Sequence, residues 1–210
     1  MTMTSKLRRT LGVWIPAITL FHSMTFGVEE GKAASASDSI SLSGADWRIH
    51  DDPLSQGAGQ QYFNADLTGA GWIAAQVPGN IQADVEAAHL VGPLWYGAVN
   101  TNLYEVARKD WWYRKDFVTP ATYAGRRITL DFEGVDEHCK VWLNGTLVGE
   151  NGGMFRRFWF DVSGVALPGQ TNHLAVQIDR MPEQLAPMLM VQMAHSTVLF
   201  LGWRIAHGRS

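Results

Sequence analysis

The chain has 210 residues, a length typical of one domain with additional segments. Its 17 basic and 20 acidic residues give a net charge of −3, and no long run of Lys or Arg indicates a nucleic-acid partner. Apolar residues make up 46% of the sequence and charged residues 18%, which excludes a disordered chain. A (β/α)₈ catalytic barrel, which needs about 250 residues, is not expected either.

The first 36 residues are predicted to be an export signal. Lys6, Arg8 and Arg9 precede the apolar stretch Leu11–Phe21, and an Ala-x-Ala sequence that signal peptidase recognises ends at Ala36. The apolar stretch is shorter than the about 20 residues of a membrane-spanning helix. We therefore expect cleavage near Ala36 and a secreted or periplasmic protein without membrane contact after cleavage. The alternative is an N-terminal anchor that is not cleaved.

From Ser41 onward, short segments alternate between apolar and polar residues, which is the period of half-buried β-strands. Asn144-Gly145 predicts a tight hairpin between two of them. A helical pattern covers Ile81–Leu90. Strands separated by turn residues at intervals of about ten residues predict an all-β sandwich or jelly roll with one short helix. The predicted strands are Trp111–Phe117, Ile128–Phe132, Cys139–Leu143, Phe158–Val162 and Leu174–Ile178.

Four short motifs are predicted to set the geometry of the chain as scaffold residues. Pro78 restricts φ and Gly79 frees it, so the pair turns the chain into the helical stretch. Gly134 and Asp136 bracket a tight turn, and Asn144-Gly145 reverses the chain with both residues at positive φ. Met154-Phe155, between glycines and arginines, is predicted to return into the sandwich as an apolar plug.

Seven sequence blocks occur in a fixed order and carry a resemblance to a known family. The blocks are Trp72 with Val77-Pro78-Gly79, Leu94-Trp95-Tyr96-Gly97, Trp111–Phe117, Phe132–Asp136, Val141–Gly145, Gly153-Met154-Phe155 with Phe160–Val162, and Asn172–Val176. With these blocks the chain resembles the N-terminal sugar-binding domain of glycoside hydrolase family 2, and most of all its β-mannosidase-like members, over roughly residues 45–182. The resemblance implies a galactose-binding-like jelly-roll sandwich over residues 37–182. In full-length relatives this domain precedes an immunoglobulin-like domain and a catalytic barrel.

The loop that contains Trp95 and Tyr96 is the first candidate for a carbohydrate contact. An aromatic ring stacks on the apolar face of a pyranose, and the amide of Asn100 close behind can bind hydroxyl groups. The resemblance implies that loops of this domain lean over the pocket of the barrel. The alternative is that both aromatic residues pack under their own loop or against another domain.

No catalytic residue, metal site or cofactor is expected in this chain. The resemblance places both catalytic glutamates in the barrel, which would be missing or encoded separately. Asp136, Glu137, His138 and Cys139 are all ligand types, but strand alternation directs His138 and Cys139 to opposite faces, so the four side chains should not converge on a metal. Cys139 is predicted to be a small core residue.

Residues 183–210 depart from the family pattern. No acidic residue occurs from Gln184 to Ser210, and Gly202-Trp203-Arg204 stands near the place where the family has Gly-Trp-Asp-Trp, whose residues enter the substrate pocket. The resemblance makes Trp203 a further candidate contact, but Arg204 replaces the aspartate. Two interpretations stay open: a tail translated from a disrupted reading frame, disordered in the protein, or a divergent edge strand at Thr197–Trp203.

Three hypotheses about function follow. The first is the sugar-binding domain of a truncated or split family 2 glycosidase, inactive by itself. The second is a free-standing carbohydrate-binding module that holds β-linked glycans through Trp95, Tyr96 and Asn100. The third is a structural fragment that binds no ligand.

Overall fold

Two antiparallel β-sheets pack face to face in the computed structural model, which describes residues 39–93, 104–153, 155–180 and 203–208. These residues all belong to one unit, Ala36–Ser210. Their all-β class is as predicted. The elements are β1 (Ser39–Ser41), β2 (Gly44–Asp52), β3 (Ile73–Val77), α1 (Ile81–Ala87), β4 (Asp110–Val118), β5 (Arg127–Phe132), β6 (His138–Leu143), β7 (Thr146–Gly152), β8 (Phe158–Asp161), β9 (Thr171–Ile178) and β10 (Trp203–Gly208).

The strand order places β4 and β9 at the centre of the larger sheet. The six-stranded sheet has the order β3-β2-β4-β9-β6-β7, and the four-stranded sheet has the order β1-β10-β5-β8. All strand pairs within the two sheets are antiparallel. No helix among the described residues is long and apolar enough to cross a membrane.

The main core lies between the two sheets and follows the alternation of the sequence. Ile128, Leu130 and Phe132 of β5 are buried, whereas Thr129 and Asp131 between them are half-buried on the opposite face. Fully burying an aliphatic or aromatic side chain contributes about 1.5–3 kcal/mol, so this one strand supplies a substantial part of the driving force for folding.

A second aromatic cluster covers the outer face of the six-stranded sheet. Trp111 and Tyr113 of β4 belong to the main core, but Trp112 between them packs on the other side against Trp142, with ring centroids 4.8 Å apart. Phe63, from the segment between β2 and β3, stacks on Trp142 at 5.8 Å. Alternation predicted one core face for β4, and the structure buries both.

Arg114 fixes the segment that covers this outer face. Its side chain is buried, and its guanidinium Nη1 donates to the backbone oxygens of Tyr62 (2.7 Å) and Ala65 (3.3 Å). Burial lowers the pKa of Arg114, while the charge of Asp116, 3.6 Å away, opposes this effect. A buried guanidinium needs such acceptors, so the covering segment is held by the cation that it shields from water.

The predicted hairpin turn is confirmed at Asn144-Gly145, which joins β6 to β7 with φ values of 50° and 79°. The side chain of Asn144 donates to the Oδ1 atom of Asn172, which is fully buried. Asn172 in turn donates to Thr119 and to the backbone oxygens of Leu167 and Gln170. The turn residue thus belongs to a hydrogen-bond network that ties three connections together at one end of the sandwich.

The turn before α1 is confirmed, but the reason for Gly79 differs from the prediction. Its φ is not positive; instead, a Cβ atom at this position would lie 2.3 Å from the backbone oxygen of Gln76. Glycine is therefore required by the close approach of two backbone segments.

Helix α1 begins where predicted and ends earlier. The side chain of Asn80 accepts a hydrogen bond from the Ala83 amide and caps the first turn. The helix ends at Ala87 because His89 adopts a left-handed φ of 57°. Leu90, predicted as part of the apolar pattern, is 62% exposed.

The C-terminal strand differs from the predicted edge strand in position and in neighbours. β10 begins at Trp203, and the predicted residues before it lie outside the described part of the chain. β10 pairs with β1 on one side and with β5 on the other, so it is an interior strand of its sheet. Ile205 enters the main core with no exposed surface.

Asp84 of α1 should make the stability of the fold depend on pH. Burial raises the pKa of its carboxyl group from 3.8 to about 7, and the Oδ2 atom is buried without a hydrogen-bond partner among the described residues. Because the folded state binds this proton more tightly, stability is expected to fall as the pH rises from about 4 to about 7 and to stay at the lower level above that.

Asp84→Asn should remove this loss of folding stability at high pH. We expect the variant to be more stable than the wild type at pH 8 by on the order of 1 kcal/mol, because water screens much of the penalty of a partly exposed carboxylate, and equally stable near pH 3.5. Urea denaturation at several pH values measures the difference. Glu105→Gln, which neutralises an exposed carboxylate, is the control. A constant difference between wild type and Asp84→Asn at every pH would contradict the prediction.

Candidate functional site

The topology brings several loops together at one end of the sandwich, which we call the rim. Asp52 at the end of β2 pairs with Asp110 at the start of β4, and the end of β9 pairs with the starts of β4 and β6. The start of β8 and the start of β10 both pair with the end of β5. The rim therefore comprises residues 53–57, 104–109, 133–137, 153 and 155–157, and 178–180.

The sequence-predicted contacts can be placed only in part. Trp95, Tyr96 and Asn100 lie outside the described residues, in the segment between Pro93 and Tyr104. The backbone of Trp203 pairs with Phe132 at the first position of β10, which places it next to the rim. The scaffold residue Met154 also lies outside the described part of the chain.

Two carboxylates, Asp52 and Asp110, are buried side by side at the rim. Both are less than 5% exposed, and their Cα atoms are direct partners across β2 and β4. Paired carboxylates are the machinery of glycoside hydrolysis, so this pair is the natural candidate for catalysis among the described residues. Nothing in the sequence pattern had singled it out.

The oxygens of Asp52 and Asp110 are occupied by donors from the protein itself. Asp52 accepts the amides of Gln56 (2.8 Å) and Gly57 (2.6 Å) and the indole N–H of Trp112 (3.1 Å). Asp110 accepts the amide (2.8 Å) and Nε (3.2 Å) of Arg180 on one oxygen. Its other oxygen accepts hydrogen bonds from the Ser55 hydroxyl and from the side-chain amide of Gln177. These carboxylates fix the loop after β2 and the end of β9, which is a structural role.

Asp136 is the rim residue with the most altered protonation. The pKa of Asp136 is raised to about 6, mainly because the carboxyl group is buried and to a smaller extent because of the negative charge of Glu137. The Gly153 amide donates to the Glu137 backbone oxygen at 2.8 Å, which joins the β5–β6 loop to the β7–β8 loop. Asp136 was predicted as a turn residue; its environment makes it a carboxyl group that titrates near neutral pH.

Phe155 does not form the predicted apolar plug. The side chain is 75% exposed, and its backbone has a left-handed φ of 57°. The core beneath the β7–β8 loop is filled instead by Phe132 and Phe158, which stack with ring centroids 4.8 Å apart, and by Phe160. The plug prediction is therefore wrong for Phe155, whose side chain faces the solvent.

The predicted divergence of the ligand-type residues near the rim is confirmed. His138 Nδ1 contacts Asp179 Oδ2 at 2.7 Å, whereas Cys139 lies fully buried in the main core. Burial raises the pKa of the Cys139 thiol to about 12, so the thiol stays protonated. In the described part of the chain, no group of three or more His, Cys, Asp or Glu residues is arranged to hold a metal ion.

Asp110→Ala should destabilise the rim and the whole domain. Removal of this buried carboxylate leaves Ser55, Gln177 and the Arg180 guanidinium without their acceptor, so we expect a loss of about 3–5 kcal/mol in the free energy of unfolding. Urea denaturation measures the loss. Asp66→Ala, which removes an exposed carboxylate that accepts hydrogen bonds from Thr68, is the matched control and should change the stability far less. Equal effects of the two substitutions would argue against the buried network.

Comparison with known proteins finds relatives that are named as β-glycosidases. A β-galactosidase of Thermoanaerobacter pseudethanolicus is 41% identical over 69 residues, which cover 32% of this chain and 9% of the relative. Beta-mannosidase B of Aspergillus terreus is 33% identical over 115 residues, or 54% of this chain and 13% of the relative. The crystal structure of Ruminococcus gnavus β-glucuronidase matches with a TM-score of 0.52 at 25% identity over 68% of this chain and 21% of that one.

The chain therefore spans a small part, between about a tenth and a fifth, of the length of these relatives. The family described as glycosyl hydrolase 2 galactose-binding domain-like matches residues 47–193, which include every strand from β3 to β9 and most of β2. Because this match covers more than half of the sequence, the chain belongs to the galactose-binding-like domains of glycoside hydrolase family 2.

Proposed function

We propose that this chain is the non-catalytic sugar-binding domain of a longer or split family 2 glycosidase that acts on β-linked glycosides. The relatives are named β-galactosidase, β-mannosidase and β-glucuronidase, and all three names specify a β-glycosidic bond. In this proposal the rim lines one side of a sugar site. The reacting carboxylates are supplied by a catalytic barrel in another part of the longer protein or on a separate chain.

The observation that carries the proposal is the state of the Asp52–Asp110 pair. A retaining glycosidase needs one carboxylate free to attack the sugar and a second free to transfer a proton. Each oxygen of Asp52 and Asp110 instead accepts at least one hydrogen bond from the protein, and both side chains are buried. This supports a domain that shapes and holds a site and leaves bond cleavage to another domain.

The sugar contacts in this proposal come from the segment before β4 and from the start of β10. Trp95 and Tyr96 would stack on a pyranose ring, Asn100 would bind its hydroxyl groups, and Trp203 would approach from β10. The rigid hydrogen bonds of Asp110 to Ser55 and Arg180 favour such a role, because they hold the neighbouring loops in one geometry.

The purified chain should bind glycans without cleaving them. We expect no release of nitrophenol from nitrophenyl β-mannoside, β-galactoside or β-glucuronide, and restored turnover when a family 2 barrel encoded next to this gene is added. Turnover by the chain alone that Asp136→Asn abolishes would overturn the non-catalytic assignment.

A free-standing carbohydrate-binding module is the second candidate, and it is favoured by the domain's own core and its internally fixed rim. A glycan array with the full chain separates the two. Saturable binding of β-linked oligosaccharides, with no barrel gene in any reading frame nearby, supports the module. No binding by the folded chain, with or without a barrel, would leave the structural fragment as the remaining interpretation.

We also propose that the protein is exported and that residues 1–36 are removed. The basic residues, apolar stretch and Ala-x-Ala sequence of the N-terminus support this proposal. N-terminal sequencing of the protein recovered from its native host should find Ser37 as the first residue, in the medium or the periplasm. A chain that retains Met1 or Thr2 in the cytosolic fraction would refute export.

A further inference from the structure

The outer face of the four-stranded sheet carries an exposed tryptophan, Trp159 of β8. The register pairs Trp159 with Asp131 and Asp161 with Thr129. These four residues point away from the main core, because the residues between them on β5 are fully buried. Trp159 is 56% exposed, whereas most other tryptophans in the described part of the chain lie in one of the two cores.

Trp159 contacts Arg127, which is linked by hydrogen bonds through Asp161 to Ser163. The guanidinium carbon of Arg127 lies 5.3 Å from the centroid of the Trp159 ring and covers one of its faces. Arg127 Nε donates to Asp161 Oδ2 at 3.0 Å. The other oxygen of Asp161 accepts the amide (3.0 Å) and the hydroxyl (2.6 Å) of Ser163. The guanidinium of Arg127 thus lies over one face of the indole, while 56% of Trp159 remains exposed to solvent.

The surroundings of Trp159 are polar. On this face the described side chains near the indole are short hydroxyl residues or charged residues: Thr129, Asp131, Asp161 and Arg127. A protein interface or a lipid surface would need a wider apolar patch around the aromatic residue. A nucleic acid would need an excess of positive charge, but Asp131 and Asp161 offset the two basic residues here, Arg127 and Arg204, which pairs with Asp131 across β5 and β10.

One aromatic plane surrounded by hydrogen-bonding groups fits a pyranose ring. The C–H groups on one face of the sugar stack on the indole, while its equatorial hydroxyls extend sideways towards donors and acceptors. The side chains stand on strands, so their spacing is set by the sheet and does not depend on ordering a loop. Little conformational entropy is lost when such a prearranged surface binds its ligand.

We propose that Trp159, backed by Arg127 and Asp161, is a stacking platform for one sugar ring of a glycan chain on the outer face of the four-stranded sheet. This site lies on the outer face of the sheet, two residues along β8 from the rim, and its ligand class rests on the proposed function. It would bind a polymeric or oligomeric β-linked glycan at a second point, which raises the local concentration of substrate at the domain.

The test follows the indole N–H signals of the full chain by NMR during titration with β-1,4-mannotetraose and, separately, cellotetraose. The sequence has nine tryptophans, and the signal that disappears in Trp159→Phe identifies Trp159. We expect this signal to shift saturably with at least one of the two sugars. Trp159→Ala should weaken the binding about tenfold, and Arg127→Met should weaken it less. Leu147→Ala, which removes a 54% exposed apolar side chain on β7, should leave the affinity unchanged.

Three outcomes would overturn the proposal. A Trp159 signal that neither sugar moves, while other indole signals shift, would refute this platform and leave sugar binding at the rim standing. Equal loss of affinity in Trp159→Ala and Leu147→Ala would point to a general effect on the fold. A signal that shifts with protein concentration in the absence of sugar would assign the face to contacts between copies of the chain. If Trp159 alone responds, the platform holds and sugar binding at the rim fails.

Discussion

The buried guanidinium of Arg114 is the interaction on which the larger sheet depends. It lies in the centre of the six-stranded sheet, on the side that faces away from the smaller sheet, and would be exposed without the segment that covers it. Its hydrogen bonds to Tyr62 and Ala65 hold that segment in place. An unpaired charge at such a depth would cost several kcal/mol, so the cation and the covering segment need each other.

This coupling extends from the sheet centre to the rim. The covering segment begins directly after β2, and its first turn is held by Asp52, which also accepts the indole N–H of Trp112 beneath the cover. Gly57 lies so close to Trp112 that an added Cβ would be 2.3 Å from its Nε1 atom. Packing on the outer face therefore determines where the rim loop after β2 lies, and Asp110 joins this loop to the end of β9 through Ser55 and Arg180.

The buried charged residues of the domain thus have structural roles. Asp52, Asp110 and Arg114 are buried, and each forms hydrogen bonds that hold neighbouring segments of the protein in place. The aromatic residues divide in the same way. Trp112 fills the second cluster, whereas Phe155 and Trp159 are exposed among the described residues.

Local patterns predicted those features that depend on neighbouring residues. Alternation located β4, β5, β6, β8 and β9 to within a few residues, and Asn144-Gly145 identified the β6–β7 turn. These succeeded because the period of a strand and the φ of a tight turn are properties of a few consecutive residues. The family blocks added the jelly-roll class and the relation to glycoside hydrolase family 2.

The features that the sequence did not predict depend on contacts between distant segments. Alternation shows that Trp112 points away from Trp111, but only the covering segment, some 50 residues earlier, decides that this side is buried. Phe155 is exposed although it is a large apolar residue, and Gly79 is required by the nearby Gln76 carbonyl. The sequence by itself thus determined the strands, the hairpin and the family. Tertiary structure decided which faces are buried and which carboxylates are occupied, because both depend on long-range packing.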